Sequence, residues 1–149
     1  MEFENSLTYL FMQIATNYRN YLQKLLNEIG LNSGQIYVLV SLWKNDGQTQ
    51  TDLAKSLNLA LPTINKMVKS LASNGFVEAQ KCGKDSRMVR VYLTVKGREI
   101  RASVEERRLK TESNFFSNLS DTERLMFSHL FEKLKENIRG KVAPAATGL

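Results

Sequence analysis

Apolar residues recur at steps of three and four through the first thirty positions: Phe3, Leu7, Leu10, Phe11, Ile14, Tyr18, Tyr21, Leu22, Leu25, Leu26 and Ile29. That is helix period, and it predicts one long helix that Gly30 can stop. The stripe carries more apolar surface than a short domain readily covers, so a subunit interface is expected in preference to a plain core role. Asn32, answered three residues later by Gln35, reads as the capping box of a second helix. Ile36, Val38, Leu39, Val40, Leu42 and Trp43 make that helix apolar nearly all round, which predicts a central, buried element ending at the turn signal Asn45-Asp46-Gly47.

Two short helices come next. The first runs from Thr49 to Asn58, with Thr49 as cap, Asp52 at its third position and Leu53, Ala54 and Leu57 on its buried face. The sequence breaks at Asn58-Leu59-Ala60. Pro62 then suits the first turn of a new helix, where its missing N–H is not needed. Ile64, Met67, Val68 and Leu71 mark the inward face of this helix, while Pro62, Asn65, Lys66, Lys69 and Ser73 gather opposite and Thr63 and Ser70 lie at the margins. Such a pair makes a helix-turn-helix candidate. Asn74-Gly75 ends it. Phe76, Val77 and Ala79 open a strand, and Val89, Val91 and Leu93 alternate with Arg90 and Tyr92 in another, so Cys82-Gly83-Lys84-Asp85-Ser86-Arg87 is the tip of a hairpin.

Thr94 can cap a further long helical region, with Gly97 a weak spot early in it and a heavily charged, solvated stretch over 101–116. Ser120 and Glu123 form a second capping box, followed by Leu125, Phe127, Leu130, Phe131, Leu134 and Ile138 at helical spacing. The tail, 141–149, is expected to be disordered.

Charge changes this picture. Residues 61–101 hold nine Lys or Arg against three Asp or Glu, a local +6 that equals the formal net charge of the 149-residue chain. The rest of the chain balances, so the positive field is local to the last helix of the pair and the hairpin, and a polyanion is the expected partner. Asn65 can make a bidentate contact to adenine, and Lys66 and Lys69 suit phosphate or guanine. An Arg on a thin hairpin can reach a minor groove. Asp85, an acid in that loop, is expected to orient Arg87 or Arg90 rather than face phosphate.

In order and spacing these pieces resemble the MarR family of bacterial transcription regulators, over roughly residues 5–140. The resemblance rests on Leu31 to Gln35 leading into Val38-Leu39, Thr49 to Ala54, Ile64 to Leu71 closed by Asn74-Gly75-Phe76-Val77, Asp85-Ser86-Arg87, and Val91 to Thr94 with Gly97. It implies a mainly α (α+β) fold: a winged helix-turn-helix at 31–94, with helices of 1–30 and 95–140 forming a dimerisation region. It further implies a homodimer on double-stranded DNA, usually repressing from a pseudo-palindromic operator, with recognition helices about 34 Å apart. By that likeness, the helix from Leu61 enters the major groove, Arg87 enters the minor groove and Asp85 is its partner. The DNA-binding candidates are therefore Pro62, Thr63, Asn65, Lys66, Lys69, Ser70, Lys84, Asp85, Arg87 and Arg90. Many relatives release DNA when a small aromatic compound binds between the dimerisation helices and the winged unit.

Other readings find less support. One cysteine and one histidine exclude a disulfide framework and a Cys- or His-rich metal site, so no metal or other cofactor is expected. Cys82 lies between lysines that can lower a thiol pKa, but a lone Cys is most often inert. His129 reads as a structural or surface histidine, and Tyr9, Tyr18, Tyr21 and Tyr37 as core or as an effector crevice. There is no Gly-rich phosphate loop and no nucleophile–base grouping, so an enzyme is not expected. The start MEFENSLTYLF lacks a basic region, and no apolar run approaches the ~18 residues of a membrane span, so a cytoplasmic protein with no membrane partner is expected. The alternatives are a winged-helix dimer that binds an acidic protein, and an architectural DNA binder with little sequence preference.

Overall fold

The computed structural model describes residues 2–83 and 88–142. A single 3-10 turn, Phe3–Asn5, precedes helix α1, Leu7–Asn27. Ser6 separates them: its hydroxyl accepts from the Tyr9 N–H and so caps α1. Gly30 ends the region with φ +74°, a left-handed value that glycine adopts without a side-chain clash. This lets the Leu31 N–H turn back onto the Leu26 carbonyl at 3.1 Å.

Helices α2 (Ser33–Lys44), α3 (Gln50–Leu57) and α4 (Leu61–Ser73) follow, then α5 (Val95–Phe115) and α6 (Asp121–Ile138). Strands β1 (Gln48–Thr49), β2 (Val77–Lys81) and β3 (Val89–Leu93) form an antiparallel sheet in the order β1-β3-β2. Val77 lies opposite Leu93 and Lys81 opposite Val89, while Gln48 and Thr49 pair with Val91 and Arg90 on the other edge of β3. The architecture is the winged helix-turn-helix expected from the sequence, with flanking helices at both ends. Positions 84–87 at the hairpin tip and 143–149 in the tail, where disorder is expected, lie outside the described residues.

One continuous core unites the winged unit. Leu39 and Leu42 of α2, Leu53 of α3, Ile64 and Leu71 of α4, and Phe76 and Val91 around the sheet are all essentially out of contact with solvent. Leu26 of α1 and Val104 of α5 join it and fix the long helices to the unit. No helix among the described residues is long and apolar enough to cross a membrane.

Two local expectations are corrected, and one element is added. Helix α2 is not buried all round: Val38, Leu39 and Leu42 are, but Tyr37 and Val40 are about half exposed, Val40 on the wall of an open cleft. The two-residue strand β1, on the edge of β3, has no signal of its own in the sequence. Gly97 is no weak spot: it is buried, and a Cβ placed there would run into the Phe76 carbonyl, so glycine is what lets α5 approach the start of β2.

Helix α6 has no buried residue. Leu7 on α1 is 85% exposed and Leu125 on α6 74%, and Leu10, Phe11, Leu130, Leu134 and Ile138 are also exposed. A run of edge-to-face rings ties α6 to its own chain: Tyr18–Phe115, Phe115–Phe116, Phe116–Phe127, Phe127–Phe131 and Phe131–Phe11.

Candidate nucleic-acid interface

Helix α4 is set by its two ends. Before it, Asn58 takes a left-handed conformation (φ 52°), and its N–H reaches the carbonyls of Ala54 and Lys55, closing α3. The chain then reverses through Leu59 and Ala60, and Pro62 falls in the first turn of α4. At the far end Lys96 donates to the Asn74 carbonyl at 2.8 Å while its ammonium sits 4.5 Å above the Phe76 ring. A cation there complements the helix C-terminus.

Ile64, Met67, Val68 and Leu71 face the core as the periodicity predicts. Pro62, Asn65, Lys66 and Lys69 are exposed on the opposite side. The two margin residues turn out differently. Thr63 is only 5% exposed. Ser70 is half-buried, and its hydroxyl accepts from the Gln35 amide at 2.7 Å. Arg90 points across the sheet, where Nη1 donates to the Gly47 carbonyl at 2.9 Å, so part of its guanidinium supports the turn before β1. The sequence-predicted Lys84, Asp85 and Arg87 lie outside the described residues.

A cleft of about 550 Å³ lies where the starts of α3 and α4 meet β3, with Thr49, Thr51, Leu61, Asn65, Met88 and Arg90 among its walls. It separates the exposed face of α4 from the base of the wing.

The electrostatics are uneven. On the long helices many cations are matched: Arg107 with Glu28, Arg108 with Glu105 and Glu112, Lys135 with Glu132, and Arg139 with Glu136. The hydrogen bond from Arg108 holds the Glu105 carboxyl below its ordinary value. Among the described residues no ion pair involves Lys66, Lys69 or Lys81. The positive charge on α4 and β2 is therefore left to the solvent side, where an anion can reach it.

Asp46 is a site-supporting residue that sequence reasoning treats only as part of a turn. One carboxylate oxygen accepts from the N–H groups of Gly47 and Leu93, and the other pairs with Arg98. It thus binds the turn after α2 to the end of the wing and the start of α5. Nothing in the local sequence beyond Asp-Gly signals that reach.

A second cleft, about 380 Å³, lies between α1, α2 and α5, with Leu22, Ile36, Val40, Trp43, Arg101 and Val104 among its walls. Trp43 donates from Nε1 to the Gly97 carbonyl at 2.8 Å, which leaves its ring along the cleft with Arg101 at 5.9 Å. The tyrosines take other places. Tyr18 packs on Phe115 at 4.9 Å, and burial, then Glu112, raises its pKa. Tyr21 accepts from Asn114, Tyr9 packs edge-on against Phe3, and Tyr37 is exposed.

This geometry has known counterparts. The MarR structure from Methanosarcina mazei Go1 superposes with a TM-score of 0.79 at 26% identity, covering 88% of this chain and 94% of that one. The structure of reduced AbfR bound to DNA gives 0.76 at 25% identity, with 91% of each chain covered. In sequence, the uncharacterised HTH-type transcriptional regulator YwoH of Bacillus subtilis (strain 168) is 32% identical over 106 residues, 71% of this chain and 77% of that protein. The family model described as MarR matches residues 31–89, the span from the capping box of α2 to the start of β3. With the winged fold, the exposed cations of α4 and this sequence match in agreement, the chain belongs to the MarR family of transcriptional regulators.

Proposed function

We propose that this regulator acts as a homodimer on a pseudo-palindromic DNA operator, as a repressor, in the cytoplasm where its target DNA lies. Regulation of transcription is not catalysis, and the protein is not an enzyme on this reading. The observation that carries the proposal is the exposed face of α4, where Asn65, Lys66 and Lys69 stand clear of the core with no ion-pair partner among the described residues. Asn65 and Pro62 meet base edges in the major groove. Lys66 and Lys69 neutralise phosphates. Thr63 and Ser70 flank this face, and Arg90 braces the wing. Lys84, Asp85 and Arg87 belong to the same surface from the sequence alone, with Arg87 entering the minor groove.

The helical regions 1–30 and 95–140 form the dimerisation unit on this reading, supported by the exposed apolar faces of α1 and α6. A small aromatic effector would fit the cleft beside Trp43, between those helices and the winged unit. Selection from random duplexes is the test. An inverted repeat should be enriched, and adding a bound aromatic compound should release it. Enrichment of nothing would favour a protein-interaction module, and duplex binding without preference an architectural role.

A further inference from the structure

Gln35 is 2% exposed and lies at the start of α2, away from the exposed face of α4, yet its side chain reaches that helix. Its Oε1 accepts from the Asn32 N–H at 2.9 Å, closing the capping box, and its Nε2 donates to Ser70 Oγ at 2.7 Å. Asn32 Oδ1 answers by accepting from the Gln35 N–H at 2.9 Å. From the other side, Gln23 of α1 accepts from the Ser33 N–H at 2.8 Å and donates to the Leu31 carbonyl. The start of α2 is thus gripped by a side chain of α1, and itself grips α4 through one buried amide.

A capping box needs only the acceptor oxygen of residue 35, which Glu would provide equally well. The Nε2 donor is not required for the cap. Its partner, Ser70, follows Lys69 directly and lies one turn beyond Lys66, on the helix whose outer face carries Asn65. Four of the five buried residues of α4 are apolar, Ile64, Met67, Val68 and Leu71, and the fifth is Thr63. Apolar packing is non-directional and lets a helix roll by small amounts. A buried hydrogen bond is directional, and leaving its donor unmade carries a penalty.

We infer that Gln35 is a positioning residue for DNA recognition, its amide fixing the rotation of α4 through Ser70 so that Asn65 is presented at one angle to the base edges. This inference rests on α4 being the recognition helix. Positioning should matter for base contacts, which need angular accuracy, and little for phosphate contacts, which tolerate it.

The test uses the full-length protein with Gln35→Leu, Ser70→Ala and both together, and reads the ratio of affinities for the selected operator and a random duplex of equal length. Each single variant should lower that ratio roughly fivefold, the scale of one buried hydrogen bond. The double variant should lose no more than the larger single loss, because both changes remove the same Gln35–Ser70 bond. Ser70→Ala leaves the cap of α2 intact, so it reports even if Gln35→Leu does not fold, and a wild-type ratio for it overturns the inference. Losses that simply add overturn it too, since they would mean that Ser70 touches DNA on its own account. If the wild-type protein shows no operator preference, the recognition-helix reading fails first, an outcome separate from either of these.

Discussion

Lys66 and Lys69 stand one turn apart on the exposed side of α4, and each can displace one condensed counterion from DNA. Lys66→Ala and Lys69→Ala should therefore weaken operator and random duplex alike. Each should lower the slope of log affinity against log salt by about one. Titrations at several salt concentrations read this, and an unchanged slope in both variants would move the contact surface off α4. Asn65→Ala should behave in the opposite sense, costing about 1–3 kcal/mol on the operator and little on random duplex. Gly97 carries a prediction about stability instead. Gly97→Ala must push the Phe76 carbonyl away from α5, and overpacking of this kind costs about 1–3 kcal/mol, to be read from urea midpoints at one fixed protein concentration. At this scale the sequence was legible where the signal is local. The core positions of α4 follow from spacing alone. Thr63, Ser70 and Arg90 could not be placed that way, because burial by the core, the Gln35 amide and the Gly47 carbonyl all arrive from distant parts of the chain.

Helices begin where a neighbouring side chain can satisfy the free backbone N–H groups, and for α2, α3, α5 and α6 that partner lies within three residues. Asn32 with Gln35, Thr49, Thr94, and Ser120 with Glu123 all cap as the sequence suggests. Strand β1 escaped notice for the converse reason. Gln48-Thr49 has no alternation of its own and is a strand only because β3 offers it an edge. The box at α6 also sets a pH response. The Ser120 N–H, and then its hydroxyl, donate to the Glu123 carboxylate and hold its pKa below the ordinary value. A depressed carboxylate stabilises the folded state while ionised. That contribution is present above the unfolded-state pKa and is lost as the pH falls through the lower folded value. Hydrogen-exchange protection in the first turn of α6 should therefore fall on acidification below about pH 4. In Glu123→Gln, which keeps an acceptor without the charge, the fall should be flattened. An identical acid response in the two proteins would remove the carboxylate from the account.

For the whole molecule the decisive feature is an apolar surface that the chain's own ring contacts cover only in part. Helix α6 buries no residue, and the exposed side chains of α1 at Leu7, Leu10 and Phe11 add to the same class of surface. Apolar area of this extent is removed from water most simply by a second copy, and a two-fold axis would let identical patches meet. Leu130→Glu places a charge on that surface without touching the winged core. It should shift sedimentation at micromolar concentration from dimer to monomer while helical content is kept. A variant that remains dimeric would put the interface elsewhere. DNA then tests the geometry and not just the stoichiometry. In a rigid dimer the long helices fix the separation of the two α4 helices, and both must meet the same face of the duplex, about one turn apart. Inserting five base pairs, roughly half a turn, between the operator halves should therefore reduce binding to the level of a single half-site. The Leu130→Glu monomer should bind the native and the expanded operators equally. If wild-type protein tolerates the insertion, the flanking helices do not fix the spacing, and an effector in the Trp43 cleft could not act by changing it.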